Sequence, residues 1–177
     1  MQSQIVKRAY ATPARCVSPF KVSASGDAVP EGNPRDQSVR LQIACTCGAG
    51  DLSILGFPMA APSSPKTSIF AAPLSIACHA CNKTERVFSP DCDGYDGEIG
   101  SSAGVVGSGA PSKFPCPKCG QTTFHAAVAL EYSIRDEEME DEEELAARPQ
   151  DFFTGFSLFG KCTRCGHLAR VTDYECA

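Results

Sequence analysis

The segment 114–120 reads Phe-Pro-Cys-Pro-Lys-Cys-Gly and places two cysteines with two residues between them. Such a segment can turn back on itself, so that both sulfurs bind one metal ion while backbone N–H groups of the turn point at them. The chain contains four close pairs of cysteines, namely Cys78/Cys81, Cys116/Cys119 and Cys162/Cys165 with two residues between them and Cys45/Cys47 with one. Four pairs make two sets of four thiolates, which is the ligand set of a structural zinc ion.

The composition argues against one large hydrophobic core. The chain has 177 residues with no Trp, 15 Gly and 13 Pro. Two units of roughly 60 residues suit it better, and a unit of that size is marginal unless a cross-link or a metal stabilises it. We therefore predict a small all-β fold of two tandem antiparallel β units, stapled by two structural Zn²⁺ ions. No stretch approaches the ~18 consecutive apolar residues of a spanning helix, so we expect no membrane association.

The number of cysteines and the N-terminus indicate the redox compartment. Eleven cysteines are an odd total, and the N-terminal residues contain no apolar signal core, so a reduced, cytoplasmic protein is expected. The disulfides of a secreted scaffold stay open as an alternative. Residues 1–26 carry four basic and no acidic side chains, a composition shared by organelle transit peptides and by a simple basic arm.

The order of the motifs predicts four segments. These are an N-terminal arm at 1–37, a first unit at 38–98, a Gly- and Ser-rich linker at 99–112 and a second unit at 113–177. Flexibility is expected of the linker because glycine and serine favour an unordered chain.

Period-two alternation predicts the strands of both units. Val39, Leu41 and Ile43 alternate into the first cysteine pair, and alternation over residues 124–134 is the clearest in the chain. The arm shows weak alternation over residues 5–10. Three prolines in residues 56–68 indicate an irregular loop.

The two halves look like a duplication. Residues 70–81 and 153–165 each join an apolar stretch to a cysteine pair, and Arg-Val follows soon after both. This parallel favours sequential sets, with Cys45, Cys47, Cys78 and Cys81 around one ion and Cys116, Cys119, Cys162 and Cys165 around the other. Interleaved sets stay open because the spacing rule alone does not exclude them.

The second half resembles the zinc-ribbon superfamily. The matching segments are 114–120 and 161–167, which reads Lys-Cys-Thr-Arg-Cys-Gly-His. The Cys-Pro-x-Cys form is also similar to small bacterial ribbon proteins of the CpXC type. The first half departs from the pattern, because one residue separates Cys45 from Cys47 and no glycine follows Cys81. Zinc ribbons occur in transcription factors, ribosomal proteins, chaperones and interaction modules, so the resemblance does not fix a function.

The formal charge of −5 argues against a wide phosphate-binding surface, which needs clustered Lys and Arg. Each zinc ion with four thiolates adds a further charge of −2, which brings the loaded protein near −9. Eight of the nine residues in 136–144 are acidic. This run is predicted to be either a solvated loop or a docking element for a basic protein, because long-range attraction speeds association.

Two other groups of residues are candidates for a function. The segment 91–98 holds four carboxylates among glycines, and it is either a solvated turn or a functional patch centred on Tyr95, Asp96 and Glu98. Three cysteines stay outside the pairs and have no assigned role, namely Cys16, Cys92 and Cys176.

The sequence thus predicts a non-enzymatic zinc-binding module for protein interaction. One version of this prediction is an inhibitor or immunity-type protein that uses an acidic surface. Four thiolates fill a tetrahedron and leave no position for a substrate. The alternatives are a nucleic-acid-binding zinc ribbon and an enzyme that uses the Asp91–Glu98 patch. Iron also accepts four thiolates, so the identity of the ion stays open.

Overall fold

The computed structural model describes residues 4–25, 37–60, 68–94, 106–132 and 147–176. One α-helix and two 3-10 helices, Arg15–Val17 and Pro149–Asp151, accompany nine strands in this part. The helix α1 is Gln4–Ala11, and the strands are β1 Lys21–Ala24, β2 Gln37–Ala44, β3 Leu52–Ala60, β4 Ser68–Cys78, β5 Thr84–Phe88, β6 Ser112–Lys113, β7 Phe124–Tyr132, β8 Gly155–Cys162 and β9 Leu168–Glu175. The predicted class, a small all-β fold with two four-cysteine groups able to staple it through metal, is confirmed.

Alternation located the two central strands. Val39, Leu41 and Ile43 are buried on one face of β2, and the apolar residues of β7 at every second position from Phe124 to Tyr132 are buried as well. These two strands pair antiparallel with each other. Side chains of successive residues point to opposite faces of a sheet, so the shared period places both apolar faces on one core.

One strand of each half, β2 in the first and β6 in the second, pairs with a strand of the other half. β2 pairs with β7 from Gln37↔Tyr132 to Ile43↔Ala126, although β3 follows it in the chain. In the same way β6 pairs with β3, through Leu55↔Lys113 and Gly56↔Ser112, although β7 follows it. β1 pairs with β2, and the other strands form two meanders, β3-β4-β5 and β7-β8-β9. We call this arrangement the strand exchange.

The sheet bends so that the two meanders face each other across aromatic side chains. Phe88 of β5 stacks on Phe156 of β8 with ring centroids 4.1 Å apart. The Tyr174 hydroxyl of β9 accepts a hydrogen bond of 2.8 Å from the backbone N–H of Ala72 in β4. One cluster of buried apolar residues extends from Ile5 to Tyr174. Both halves therefore contribute to one core, which corrects the expectation from composition that no single large core forms. The unit boundaries stay a prediction.

Two local predictions differ from the structure. The arm contains a helix where weak alternation was expected, because Ile5, Val6 and Ala9 lie on one helical face and are buried. β3 continues to Ala60 through part of the predicted loop 56–68. Pro58 is tolerated there because it pairs with Phe70 on one side and has no partner strand on the other among the described residues, an edge position that needs no N–H donor.

The described end of the predicted linker is bonded to the first half. The backbone N–H of Gly107 donates to Ala72 O at 2.7 Å, and β6 pairs with β3. The rest of the segment, 99–105, lies outside the described residues, as do the acidic run and Tyr95, Asp96 and Glu98. Within the described ranges no helix has the length and apolar character needed to cross a bilayer.

A substitution at Gly160 tests how closely the side chains around this position pack. A Cβ atom at this position of β8 would lie 2.8 Å from the ring of Phe124 and 3.1 Å from the side chain of Ile54. Both neighbours are fully buried, so we expect Gly160→Ala to lower the free energy of unfolding by about 1–3 kcal/mol through overpacking. Denaturant unfolding of the metal-loaded protein measures this.

The matched control is Gly50→Ala, because a Cβ atom there meets nothing within 4 Å. Its effect is expected within about 0.5 kcal/mol of zero. Equal effects of the two substitutions would contradict the packing described for Gly160.

Candidate metal centres

The four cysteine pairs lie at the same end of the sheet. Cys162 pairs with Phe124, Phe124 with Leu52, and Leu52 with Cys78, which forms one row across β8, β7, β3 and β4. Three strand spacings of about 4.8 Å place the outer members of this row about 14 Å apart. The two centres that the sequence assigned to tandem units are therefore close neighbours.

Each of the three Cys-x-x-Cys turns closes with the same two backbone hydrogen bonds. In the turn at 116–121, Cys116 N–H donates to Gln121 O at 2.7 Å and Gly120 N–H donates to Cys116 O at 2.8 Å. The turns that begin at Cys78 and Cys162 repeat both bonds at 2.9–3.0 Å. The residue after the second cysteine has a positive φ in all three turns, at Asn82, Gly120 and Gly166.

Asn82 explains why the turn at 78–81 forms without a glycine. Its φ is 58°, and asparagine is one of the few residues that adopt the left-handed region readily. The departure from the ribbon pattern noted after Cys81 therefore leaves the turn geometry intact.

The pair Cys45/Cys47 forms a turn that is one residue shorter. Gly48, with φ of 96°, donates its N–H to Cys45 O at 2.8 Å, and Cys45 N–H donates to Ala49 O at 3.0 Å. The bonding pattern is that of the other turns with one residue removed, so the single residue between these cysteines still brings both sulfurs to the same side.

The eight sulfurs form two sets of four, and each set agrees with the sequential grouping rather than an interleaved one. Within each set all sulfur atoms lie within 4.8 Å of one another. The shortest sulfur–sulfur distances are 3.5 Å for Cys45–Cys81 and 3.6 Å for Cys47–Cys78, Cys116–Cys165 and Cys119–Cys162. We call the set Cys45, Cys47, Cys78 and Cys81 site 1, and the set Cys116, Cys119, Cys162 and Cys165 site 2.

These distances fit a tetrahedral metal ion. A Zn–S bond of 2.3 Å implies sulfur atoms about 3.8 Å apart, whereas a disulfide needs about 2.05 Å. All eleven cysteines lie in the described part of the chain, and all are free thiols. Each site could therefore hold one metal ion, although the role of the eight cysteines as ligands stays a prediction.

Hydrogen bonds prepare one thiol in each site to lose its proton. The backbone N–H of Cys47, followed by neighbouring thiols, lowers the pKa of Cys45 to about 6. Burial acts in the opposite direction at Cys162, but backbone N–H groups of Cys165 and Arg164 lower its pKa to about 7. A thiolate with donors already aimed at it is the form that binds a metal.

The two sites differ in exposure. Cys47 and Cys81 of site 1 are exposed, whereas no cysteine of site 2 is exposed, since Cys119 and Cys165 are half-buried. The remaining members, Cys45 and Cys78 in site 1 and Cys116 and Cys162 in site 2, are buried. Solvent, chelators and thiol reagents therefore reach site 1 more easily.

The difference in exposure predicts the order of metal loss. In protein reconstituted with Zn²⁺, we expect site 1 to release its ion to a chelator in a separate, faster phase than site 2, because a competing ligand must first reach a sulfur. Alkylation by N-ethylmaleimide during chelation, followed by peptide mass mapping, identifies the site.

Two other thiols serve as internal controls. Cys92 is exposed and should be labelled at all times, whereas buried Cys16 should resist labelling until the protein unfolds. Faster labelling of the cysteines of site 2 than of site 1 would contradict the prediction.

The histidines have roles outside metal ligation. Nε2 of His79 lies 2.8 Å from the Ser53 hydroxyl, and Nε2 of His125 lies 3.3 Å from Asp51 Oδ1 on the surface. His167 contributes its backbone carbonyl to the turn at Cys162. Ser53 and Asn82 are the two residues of the centres that the sequence analysis missed, and no motif marked either of them.

The three remaining cysteines lie near Asp93. Burial, followed by the charge of Asp93, raises the pKa of Cys176 to about 11, and burial likewise raises the pKa of Cys16. Cys92 and Asp93 border a cleft of about 420 Å³ together with Arg15, Arg86 and Asp151. Asp93 also accepts a hydrogen bond of 2.8 Å from the backbone N–H of Ser89, so the described part of the 91–98 patch is a bonded turn beside a charged cleft.

No protein-family model, curated protein or solved structure matches this chain. The chemistry of the two sites is therefore argued from the geometry alone.

Proposed function

We propose that the protein is a non-enzymatic zinc-binding module of the zinc-ribbon type, in which both ions are structural. The observation that carries this proposal is the closure of both sites by four sulfurs each. A catalytic ion keeps one position for water or substrate, and a tetrahedron of thiolates has none. Zinc is favoured over iron because it is the commonest ion of four-cysteine structural sites, and a reducing compartment such as the cytoplasm keeps the thiols available. Metal analysis of protein from its own cells, together with its colour, tests the identity of the ion.

The charge of the chain supports a protein partner. The described residues hold 13 Lys and Arg against 8 Asp and Glu, a formal charge of +5. The remaining segments hold 3 basic and 13 acidic residues, a formal charge of −10. Eight of those acids stand in residues 136–144, between β7 and the 3-10 helix Pro149–Asp151.

Such a concentration of acid favours a basic protein as the partner. Opposite charge speeds encounter and excludes wrong partners more than it adds affinity. A module of this kind could inhibit a basic enzyme by covering its surface, in the way of an immunity protein. The metal sites would then stabilise the fold of the chain that carries the acidic run.

Neutralising the run tests this function. We expect the change of all eight acids in 136–144 to Asn or Gln to abolish capture of a basic partner in affinity purification from the native cells. Raising the salt from about 50 mM to about 500 mM should weaken capture by the unchanged protein at least tenfold, because exposed charges are screened. The control variant carries Asp91→Asn and Glu175→Gln, both exposed and outside the run. Capture that ignores both the neutralisation and the salt would refute the docking role.

A second candidate function is binding of nucleic acid. The observation in its favour is that Lys118, Lys161 and Arg164 are exposed beside the turns of site 2, in a described region with positive net charge. Lys and Arg near phosphates release counterions, so such binding falls steeply with salt. An electrophoretic mobility shift with single- and double-stranded DNA and RNA, at low and physiological salt, decides. A shift that survives physiological salt and disappears in Lys118→Ala/Arg164→Ala would favour this candidate.

A further inference from the structure

A buried hydroxyl group connects the two metal sites. Ser53 of β3 is 1% exposed, and its Oγ lies 3.0 Å from Thr122 O and 2.8 Å from Nε2 of His79. A carbonyl oxygen accepts only, so the single hydroxyl proton of Ser53 goes to Thr122. Nε2 of His79 must then carry the proton that it donates to Ser53.

On one side this connection begins inside site 1. His79 stands between Cys78 and Cys81 in the turn that holds two of the four sulfurs. Its backbone N–H donates to Asp51 O at 3.2 Å. The position of the His79 ring therefore depends on the shape of this turn, which a metal ion on the two cysteines would fix.

On the other side the connection ends at site 2. Thr122 follows Gln121, whose carbonyl accepts the N–H of Cys116 at 2.7 Å and whose N–H bonds to the thiol of Cys119. Thr123 O accepts the backbone N–H of Thr163, next to Cys162, at 3.2 Å. Residues 121–123 thus contact both turns of site 2 as well as Ser53.

We propose that Ser53 and His79 are positioning residues shared by both metal sites, so that metal binding at one site raises the affinity of the other. An ion in site 1 orders the turn at 78–81, and the bonds through His79 and Ser53 then hold residues 121–123 in the shape that site 2 requires. Coupling of this kind is reciprocal, so an ion in site 2 favours site 1 by the same factor. The proposal rests on metal binding by both sites and does not depend on the partner proposed above.

The coupling factor is measured by binding alone. A variant with Cys47→Ser and Cys81→Ser retains site 2, and one with Cys119→Ser and Cys165→Ser retains site 1. Competition with a chromophoric chelator gives the Zn²⁺ association constant of each single-site protein and the product of both constants in the intact chain. The coupling factor is that product divided by the product of the two single-site constants.

We expect a coupling factor of about five or more in the intact chain. After His79→Ala we expect a coupling factor near one, because this substitution removes the hydrogen bond to Ser53. His79 is exposed, so its removal is compatible with folding, whereas Ser53→Ala would leave buried groups unpaired. A purely structural role of His79 would lower the single-site constants and leave the factor unchanged.

His167→Ala is the matched control. It removes an imidazole next to site 2 from a residue that contributes its backbone carbonyl to the turn at Cys162. It should preserve the factor. A factor near one in the intact chain, or an equal factor before and after His79→Ala, would overturn the proposal.

Discussion

The closure of four sulfurs around one point, twice at the same end of the sheet, is the constraint on which the other features depend. Site 1 joins residues that are 31 to 36 positions apart in the chain, and site 2 joins residues 43 to 49 apart. Bringing such distant residues together costs conformational entropy. A metal ion held by the four thiolates would offset this cost, because thiolates bind a metal far more strongly in the folded arrangement than in an open chain. Strands that begin or end at these sulfurs then start in register, with Phe124 and Leu52 between the two sites.

The strand exchange adds a second constraint. Each four-cysteine set joins turns of one half to each other, whereas β2 and β6 join each half to the other. The aromatic contacts of Phe88 and Phe156 then fill the space between the meanders. Each set of four cysteines therefore lies beside strands that pair with the other half.

The sequence predicted the parts of this structure that depend on local spacing. The parallel between the two halves predicted the two sets of four in which the sulfurs lie together. Period-two alternation located β2 and β7, because the signal arises from residues that are near in the chain. The strand exchange left no such signal, since β2 has the same apolar period whether it pairs with β3 or with β7. The helix at Gln4–Ala11 is only two turns long, so its pattern was close to that of a short strand. The role of Asn82 was missed because the ribbon pattern has a glycine at this position, and asparagine was not considered as a residue that could adopt the same positive φ.

The functional roles of the acidic run and the 91–98 patch could not be predicted from local spacing. Both were recognised by charge, and charge alone predicts attraction but gives no geometry. The cleft beside Asp93 shows that the described part of the patch faces other charged groups, among them Arg15 and Asp151. The described residues carry a net positive charge and the remaining segments a net negative one. The net charge of −5 for the whole chain conceals this difference.

The strand exchange also determines what happens when the polypeptide is cut into two fragments. A break between Gly94 and Val106 leaves β2 on one fragment and its partner β7 on the other, and likewise separates β6 from β3. Each fragment then carries one complete four-cysteine set but an incomplete sheet, whose missing strand lies on the other fragment. The two fragments are therefore suited to complementation, in which strand pairing between them restores the sheet.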